Sequence, residues 1–213
     1  DFGSEGKRTA VVSTINGDAN VPFYLELANQ EVSAEDIPVV AFSVGEEELS
    51  GLDTTPLVGH LAAWNYFQSI EGAVNSEFIA NWKQRMGADR TTNDPMEAHY
   101  IGFNMWVAAV EEAGTTDVDA VLEALPGTET PNLTGGIARL LPNHHLTKPV
   151  FIGEVRADGQ FDVVWQTDGL VEGDAWTDFL PVSRDTEADW VDPEINCGNY
   201  NTLTGECGAT NFE

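Results

Sequence analysis

The chain has 213 residues and a mass of 23.1 kDa, and 42% of it is hydrophobic, with six Trp and ten Phe. That is enough apolar mass for a core, which excludes a wholly disordered chain, and no run of about 18 uncharged apolar residues is present to span a bilayer. Nine Lys and Arg against 36 Asp and Glu give a formal net charge of −27. Such a surface repels nucleic-acid phosphates and anionic lipid heads, which argues against nucleic acid as a partner and against direct membrane insertion. The acids are scattered along the chain, as on a solvated surface suited to a salty, halophilic or marine medium, with capture of cationic ligands as the alternative.

The chain opens as strand, turn and helix. Thr9 to Ile15 is β-branched and continuous, the pattern of a strand buried on both faces. Asn16-Gly17-Asp18 breaks it, and Val21 to Gln30 follows with Phe23, Tyr24 and Leu27 at helical spacing, with Asp18 or Asn20 as the cap. A second strand, Pro38 to Ser43, ends at Val44-Gly45 and the acidic run Glu46-Glu47-Glu48, and a third runs from Leu57 to Ala63. Strands alternating with helices predict an α/β fold on an open parallel sheet.

Helices come next. Asn75 or Ser76 is expected to cap a helix carrying Phe78, Ile79, Trp82 and Met86. Asp94-Pro95-Met96-Glu97 reads as an N-cap, a proline at the first helical position and a capping-box glutamate. The helix it opens should bury Met96, Tyr100, Phe103, Val107 and Val110, with Gly114 as its terminator. Thr116 should open another helix carrying Val118, Val121, Leu122 and Leu125, stopped by Pro126. Pro149 to Val155 and Gln160 to Gln166 flank an Asp-Gly turn and predict a β-hairpin. From about Thr167 the chain has no period and reads as an irregular tail.

The two cysteines, Cys197 and Cys207, enclose a run of turn formers that suits a disulfide, with free thiols as the alternative. A disulfide implies an oxidising compartment. The chain starts at Asp1 with no charged-then-apolar leader, so a signal peptide is expected to be absent or already removed. Enzyme constellations are weak. There is no phosphate loop, no GxSxG nucleophile elbow, and no nucleophile with an oriented base. His60, His99, His144 and His145 do not make a metal set, and no metal or other cofactor is expected.

In an open α/β sheet, ligands sit beyond the carboxyl ends of the strands. Here those ends carry Asn16, Gly17 and Asp18, and Ser43, Val44 and Glu46. Carboxylates at such a mouth suit a small neutral ligand rich in N–H groups. Asp18 and Glu46 could equally do no more than cap the helices they precede.

The segments VVSTINGDANVPFYLELANQ, IPVVAFSVGEEEL, VGHLAAWNYF, TNDPMEAHYIGFNMWVAAVEEAG and NHHLTKPVFIGEVRADGQFDVVW resemble the urea and short-chain-amide substrate-binding proteins of ABC transporters. These stand close to the branched-chain-amino-acid binding proteins and share the type I periplasmic-binding-protein fold. The resemblance runs from about Thr9 to Gly208, in the family's order, and covers only the family's C-terminal half.

It implies residues 1–57 as strand–helix units of lobe two, 58–63 as a hinge crossing and 64–139 as a segment packing on lobe one. Residues 140–166 would be the return crossing and closing hairpin, and 167–213 a tail with the cysteine loop. It implies ligand contacts at Asn16, Gly17, Asp18, Ser43, Val44 and Glu46, no catalytic step, a periplasmic or extracytoplasmic site of action, and an ABC permease as partner. An amide-sensing regulator of the same fold is the alternative. The resemblance also implies a missing first lobe, so that this stretch would leave apolar surface uncovered.

Overall fold

The computed structural model describes residues 6–174, 179, 200–201 and 206–207. The chain divides into two compact units, residues 1–173 and 174–213. The larger unit is built on a five-stranded sheet. Its strands are β1 (Val11–Ser13), β2 (Val39–Ala41), β3 (Leu61–Trp64), β6 (Phe151–Val155) and β7 (Phe161–Gln166), in the order β1-β2-β3-β6-β7. The first three are parallel, and β6 and β7 run antiparallel beside them. The helices are α1 (Asn20–Asn29), α2 (Glu46–Leu49), α3 (Ala73–Met86), α4 (Asp94–Ala113) and α5 (Val118–Ala124). A hairpin of β4 (Glu129–Pro131) and β5 (Ile137–Arg139) follows α5, and the sequence pattern did not announce it.

Several expected elements shift, each for a local reason. β1 sits at the sheet edge with Val12 67% exposed, so it is not buried on both faces. A 3₁₀ turn over Gly17–Ala19 precedes α1, and neither Asp18 nor Asn20 caps it. β3 begins at Leu61 because Thr55–Leu57 forms another 3₁₀ turn. α3 begins at Ala73, so Asn75 lies inside it, and its buried amide donates to the Gln68 and Ile70 carbonyls. The cap of α4 is Asn93, whose Oδ1 accepts from Met96 N at 3.3 Å, which leaves Asp94 and Glu97 free for other partners. α5 begins at Val118, capped by Asp117 rather than opened by Thr116.

α4 presents a different face from the one expected. Ile101, Met105 and Ala109 are buried, while Tyr100, Trp106 and Phe103, the last 62% exposed, face outward. Gly114 ends the helix in the left-handed region, as expected. The Asp158-Gly159 hairpin also forms as expected, with Gly159 N donating to Arg156 O.

Residues 167–171, expected as the start of an irregular tail, return to the sheet margin. The Val150 amide donates to Thr167 Oγ1, and Lys148 and Val171 pair through their backbones. In the smaller unit β8 (Tyr200–Asn201) pairs antiparallel with β9 (Glu206–Cys207). The proposed disulfide partner Cys197 lies outside the described residues.

Two apolar cores meet at one point of the chain. The first, beneath the sheet, gathers Tyr24, Val44, Leu49, Leu57, Phe67, Phe151 and Phe161. The second, among α3, α4 and the β4–β5 hairpin, gathers Tyr66, Phe78, Ile101, Met105 and Leu133. Neighbouring residues Tyr66 and Phe67 therefore enter different cores, which fixes the chain where it leaves β3.

Phe67 stacks on Phe161 with centroids 4.6 Å apart, directly over Gly153. A Cβ at Gly153 would stand 2.8 Å from the Phe67 ring. Gly153→Ala should therefore lower stability by about 1–3 kcal/mol through overpacking. Gly102→Ala, on the α4 helix with open space around its Cβ position, should stabilise by about 0.5–1 kcal/mol. Thermal unfolding of the two variants against the parent checks both signs.

Candidate functional site

The carboxyl ends of β1 and β2 release two loops that Asn20 ties together. Its Nδ2 donates to the carbonyls of Ile15 at 3.0 Å, Gly17 at 3.2 Å and Ser43 at 3.4 Å. Asn20 is fully buried, and its Oδ1 has no partner among the described residues. Asn16, Gly17 and Asp18 are exposed on the first loop, Ser43 is half-buried on the second, and Val44 is buried in the sheet core. Asn20 is thus the residue that joins the two loops. Its position after an Asn-Gly-Asp turn suggested a helix cap and hid this role.

Glu46 stands apart from the other five expected residues. It is 1% exposed, its Oε1 accepts from Gln68 N at 2.7 Å, and its Oε2 has no partner among the described residues. It lines a polar cleft of about 300 Å³ with Leu49 to Thr54, the loop before α4 and the β6–β7 turn. None of Asn16, Gly17, Asp18, Ser43 or Val44 lines that cleft. The capping role of the acidic run falls to Glu48, whose Oε2 accepts from Gly45 N at 2.9 Å.

Behind these loops lies a buried carboxylate group at the start of α4. Asp94 Oδ2 accepts from Asn65 N at 2.9 Å, Asn65 Nδ2 donates to Pro149 O at 2.8 Å, and Lys148 Nζ pairs with Glu97 Oε2. Asn65 follows β3 and Pro149 precedes β6, so this group clasps the two chain segments that pass between the sheet and the helical part. Lys148 was legible only as one of three lysines in an acid-rich chain. Nothing in its spacing marked it as the partner of Glu97.

Burial dominates the proton affinities here. It lifts the Glu46 carboxyl to about 8, against N–H bonds from its own amide and Gln68, while the charges of Glu48 and Asp94 push it further up. Burial also raises Glu97 to about 7 and Asp94 to about 6, with the Lys148 ammonium opposing both. His60, fully buried, accepts from Val39 N through Nδ1 at 3.1 Å, and burial lowers its proton affinity. It is a structural imidazole that ties β2 to the entry of β3. Among the described residues no three His, Cys, Asp or Glu side chains gather closely enough to hold a metal, and no helix is long and apolar enough to cross a membrane.

A second feature is apolar. Phe78, Trp82, Pro95, Met96, His99, Tyr100 and Phe103 line an open groove of about 590 Å³ between α3 and α4.

The parallel β1-β2-β3 arrangement carries loops at its carboxyl ends, the place where open α/β sheets hold ligands. A family model described as a periplasmic binding protein domain matches residues 4–182. The chain belongs to that family. Its α/β fold is part of a type I periplasmic binding protein.

A solute-binding protein of an ABC transporter from Rhodopseudomonas palustris, solved with benzoate, is 14% identical with a TM-score of 0.68, over 82% of this chain and 47% of that one. An amino acid ABC transporter substrate-binding protein from Pseudomonas fluorescens Pf-5 is 18% identical with a TM-score of 0.66, over 81% and 48%. A protein named limonene hydroxylase from Geobacillus stearothermophilus is 34% identical over 110 residues, 52% of this chain and 20% of that protein. The chain thus spans about half the length of these solved neighbours and a fifth of that relative.

The raised carboxyls link stability to pH. The folded Glu46 holds its proton up to about 8, whereas the unfolded side chain loses it near 4.5. Between those values the native state binds more protons, so unfolding free energy falls as pH rises through this window and levels off above it. Chemical-denaturation midpoints from pH 5 to 9 should decline in this way, and Glu46→Gln should flatten the decline.

Proposed function

We propose that this chain is part of the solute-binding component of an ABC importer, which captures urea or a short-chain amide between two lobes and delivers it to the membrane permease. The observation that carries the reading is the polar mouth made by the β1 and β2 loops, joined through Asn20 and bearing Asp18 and Ser43. Neither loop contains a lysine or arginine, from Thr14 to Asn20 or from Phe42 to Ser50. A carboxylate-bearing ligand would meet only like charge there. An uncharged molecule with several N–H groups finds acceptors instead, and charged acceptors make the stronger hydrogen bonds.

On this reading Asn16, Gly17 and Asp18 contact the ligand from one loop and Ser43 and Val44 from the other, through side chains or backbone groups, while Glu46, expected with them, is buried at a separate cleft. The protein binds without chemistry and acts in the periplasm or outside the cell. Residues 1–57 and 140–166 form lobe two, 58–63 is a hinge crossing, 64–139 turns toward lobe one, and 167–213 is the tail carrying Cys197 and Cys207. The outward Tyr100, Phe103 and Trp106 support the assignment of 64–139, because an apolar face of this kind is normally covered.

Calorimetric titration with urea tests the site. Asp18→Ala and Ser43→Ala should each weaken binding by about 1–3 kcal/mol, since a ligand N–H buried on binding loses its acceptor. Full affinity in both variants would move the site away from these loops. A protein that binds benzoate and ignores urea would replace the amide with an aromatic acid.

A further inference from the structure

We propose that Asn16 is a site of spontaneous covalent modification, at which the Gly17 amide nitrogen displaces ammonia from the Asn16 side chain and water then converts the residue to isoaspartate or aspartate. Asn16-Gly17 is the one Asn-Gly step in the chain. Every other described asparagine is followed by a residue whose side chain crowds the attacking nitrogen. Gly17 has no Cβ, stands at φ 59°, and has nothing within 4 Å of the position a Cβ would take. It opens the 3₁₀ turn, where an amide N–H has no acceptor inside the turn. Asn16 is exposed and its side chain makes no capping hydrogen bond. The two reacting groups are therefore adjacent and open to water. Other asparagines are held: Asn20, Asn65, Asn75 and Asn143 donate to backbone carbonyls, and Asn93 accepts from Met96 N.

In the first step the Gly17 nitrogen gives up its proton and bonds to Asn16 Cγ. The Cγ–Nδ2 bond breaks, ammonia leaves with that proton, and a cyclic imide remains. Closing the ring needs a turn about the Asn16 ψ of 147°, and the glycine accepts the compensating change in φ. Water then adds to one of the two imide carbonyls. Cleavage at Cγ leaves aspartate, whereas cleavage at the backbone carbonyl leaves isoaspartate, with the chain routed through the former side chain and lengthened by a methylene. Water is the co-reactant, and no oxidant or reductant is needed. The place makes the change consequential. Asn20 Nδ2 grips the carbonyls of Ile15 and Gly17, on either side of Asn16, and that of Ser43 on the neighbouring loop. A methylene inserted between two gripped carbonyls cannot leave both in place, so isoaspartate loosens the tie between the loops. Either product also adds negative charge beside Asp18. The chemistry does not rest on the transport reading, since it needs only the exposed Asn-Gly turn.

The test is incubation of the purified chain at neutral and at mildly alkaline pH, followed by peptide mass mapping and isoaspartyl methyltransferase labelling. The expected result is conversion of Asn16 severalfold ahead of every other asparagine, with ammonia released in step. Conversion should be faster at the higher pH, because the attacking nitrogen is the deprotonated amide. Asn16→Gln, whose longer side chain closes its ring far more slowly, should lose the modification while keeping the backbone of the loop. Hydrogen exchange across residues 14–20 and 42–44 should quicken in the aged parent and stay constant in the aged Asn16→Gln chain. Asn16 remaining intact in the folded chain overturns the proposal, whether or not it converts in the unfolded chain, and so does equal conversion at other asparagines. Unchanged hydrogen exchange in the converted parent overturns the loosening of the Asn20 tie.

Discussion

The clasp at the start of α4 is the constraint on which the rest of the structure depends. Two segments pass between the sheet and the helical part, one leaving β3 at Asn65 and one entering β6 at Pro149. Asn65 binds Pro149 directly, Asp94 holds the Asn65 amide, and Glu97 holds Lys148. Glu97 is fully buried and Lys148 is 8% exposed, so both charges have left water and each depends on the other. The clasp sets where Tyr66 and Phe67 part into their two cores, and through Gln68 it sets the position of the Glu46 carboxyl.

This arrangement explains how one stretch of chain holds two separate cores. A purely hydrophobic junction would favour closeness without direction. Hydrogen-bonded charges at fixed positions specify direction, at a desolvation cost that the paired geometry offsets. A polar clasp at this place restrains the two passing segments while leaving the strand-end loops untouched. The acidity of the chain matters here too: with so few cations available, the one lysine placed in the interior has a defined partner.

Much of the fold was legible in the sequence. The β-branched runs gave the parallel strands, Asp158-Gly159 gave the hairpin, and Gly114 marked the end of α4. What failed was assignment by face and by cap. The Met96, Tyr100, Phe103 stripe has proper helical spacing, yet Phe103 faces outward while Ile101 and Met105 fill the core. Periodicity reports that a face is apolar and is silent about what covers it. Asn93 rather than Asp94 caps α4, a shift of one residue that frees Asp94 and Glu97 for the clasp. Of the site, Asp18 and Ser43 were readable as strand-end residues. The roles of Asn20, Asn65 and Lys148 were not, because each acts on residues far along the chain that no local pattern connects.

The most direct test of the clasp is a double-mutant cycle on Lys148 and Glu97, read as unfolding free energy near neutral pH. Lys148→Met alone should cost about 3 kcal/mol, because Glu97 is left buried without its partner, and adding Glu97→Met should recover most of that loss. Single-variant costs below about 1 kcal/mol that simply add in the double variant would contradict the clasp as the organising constraint.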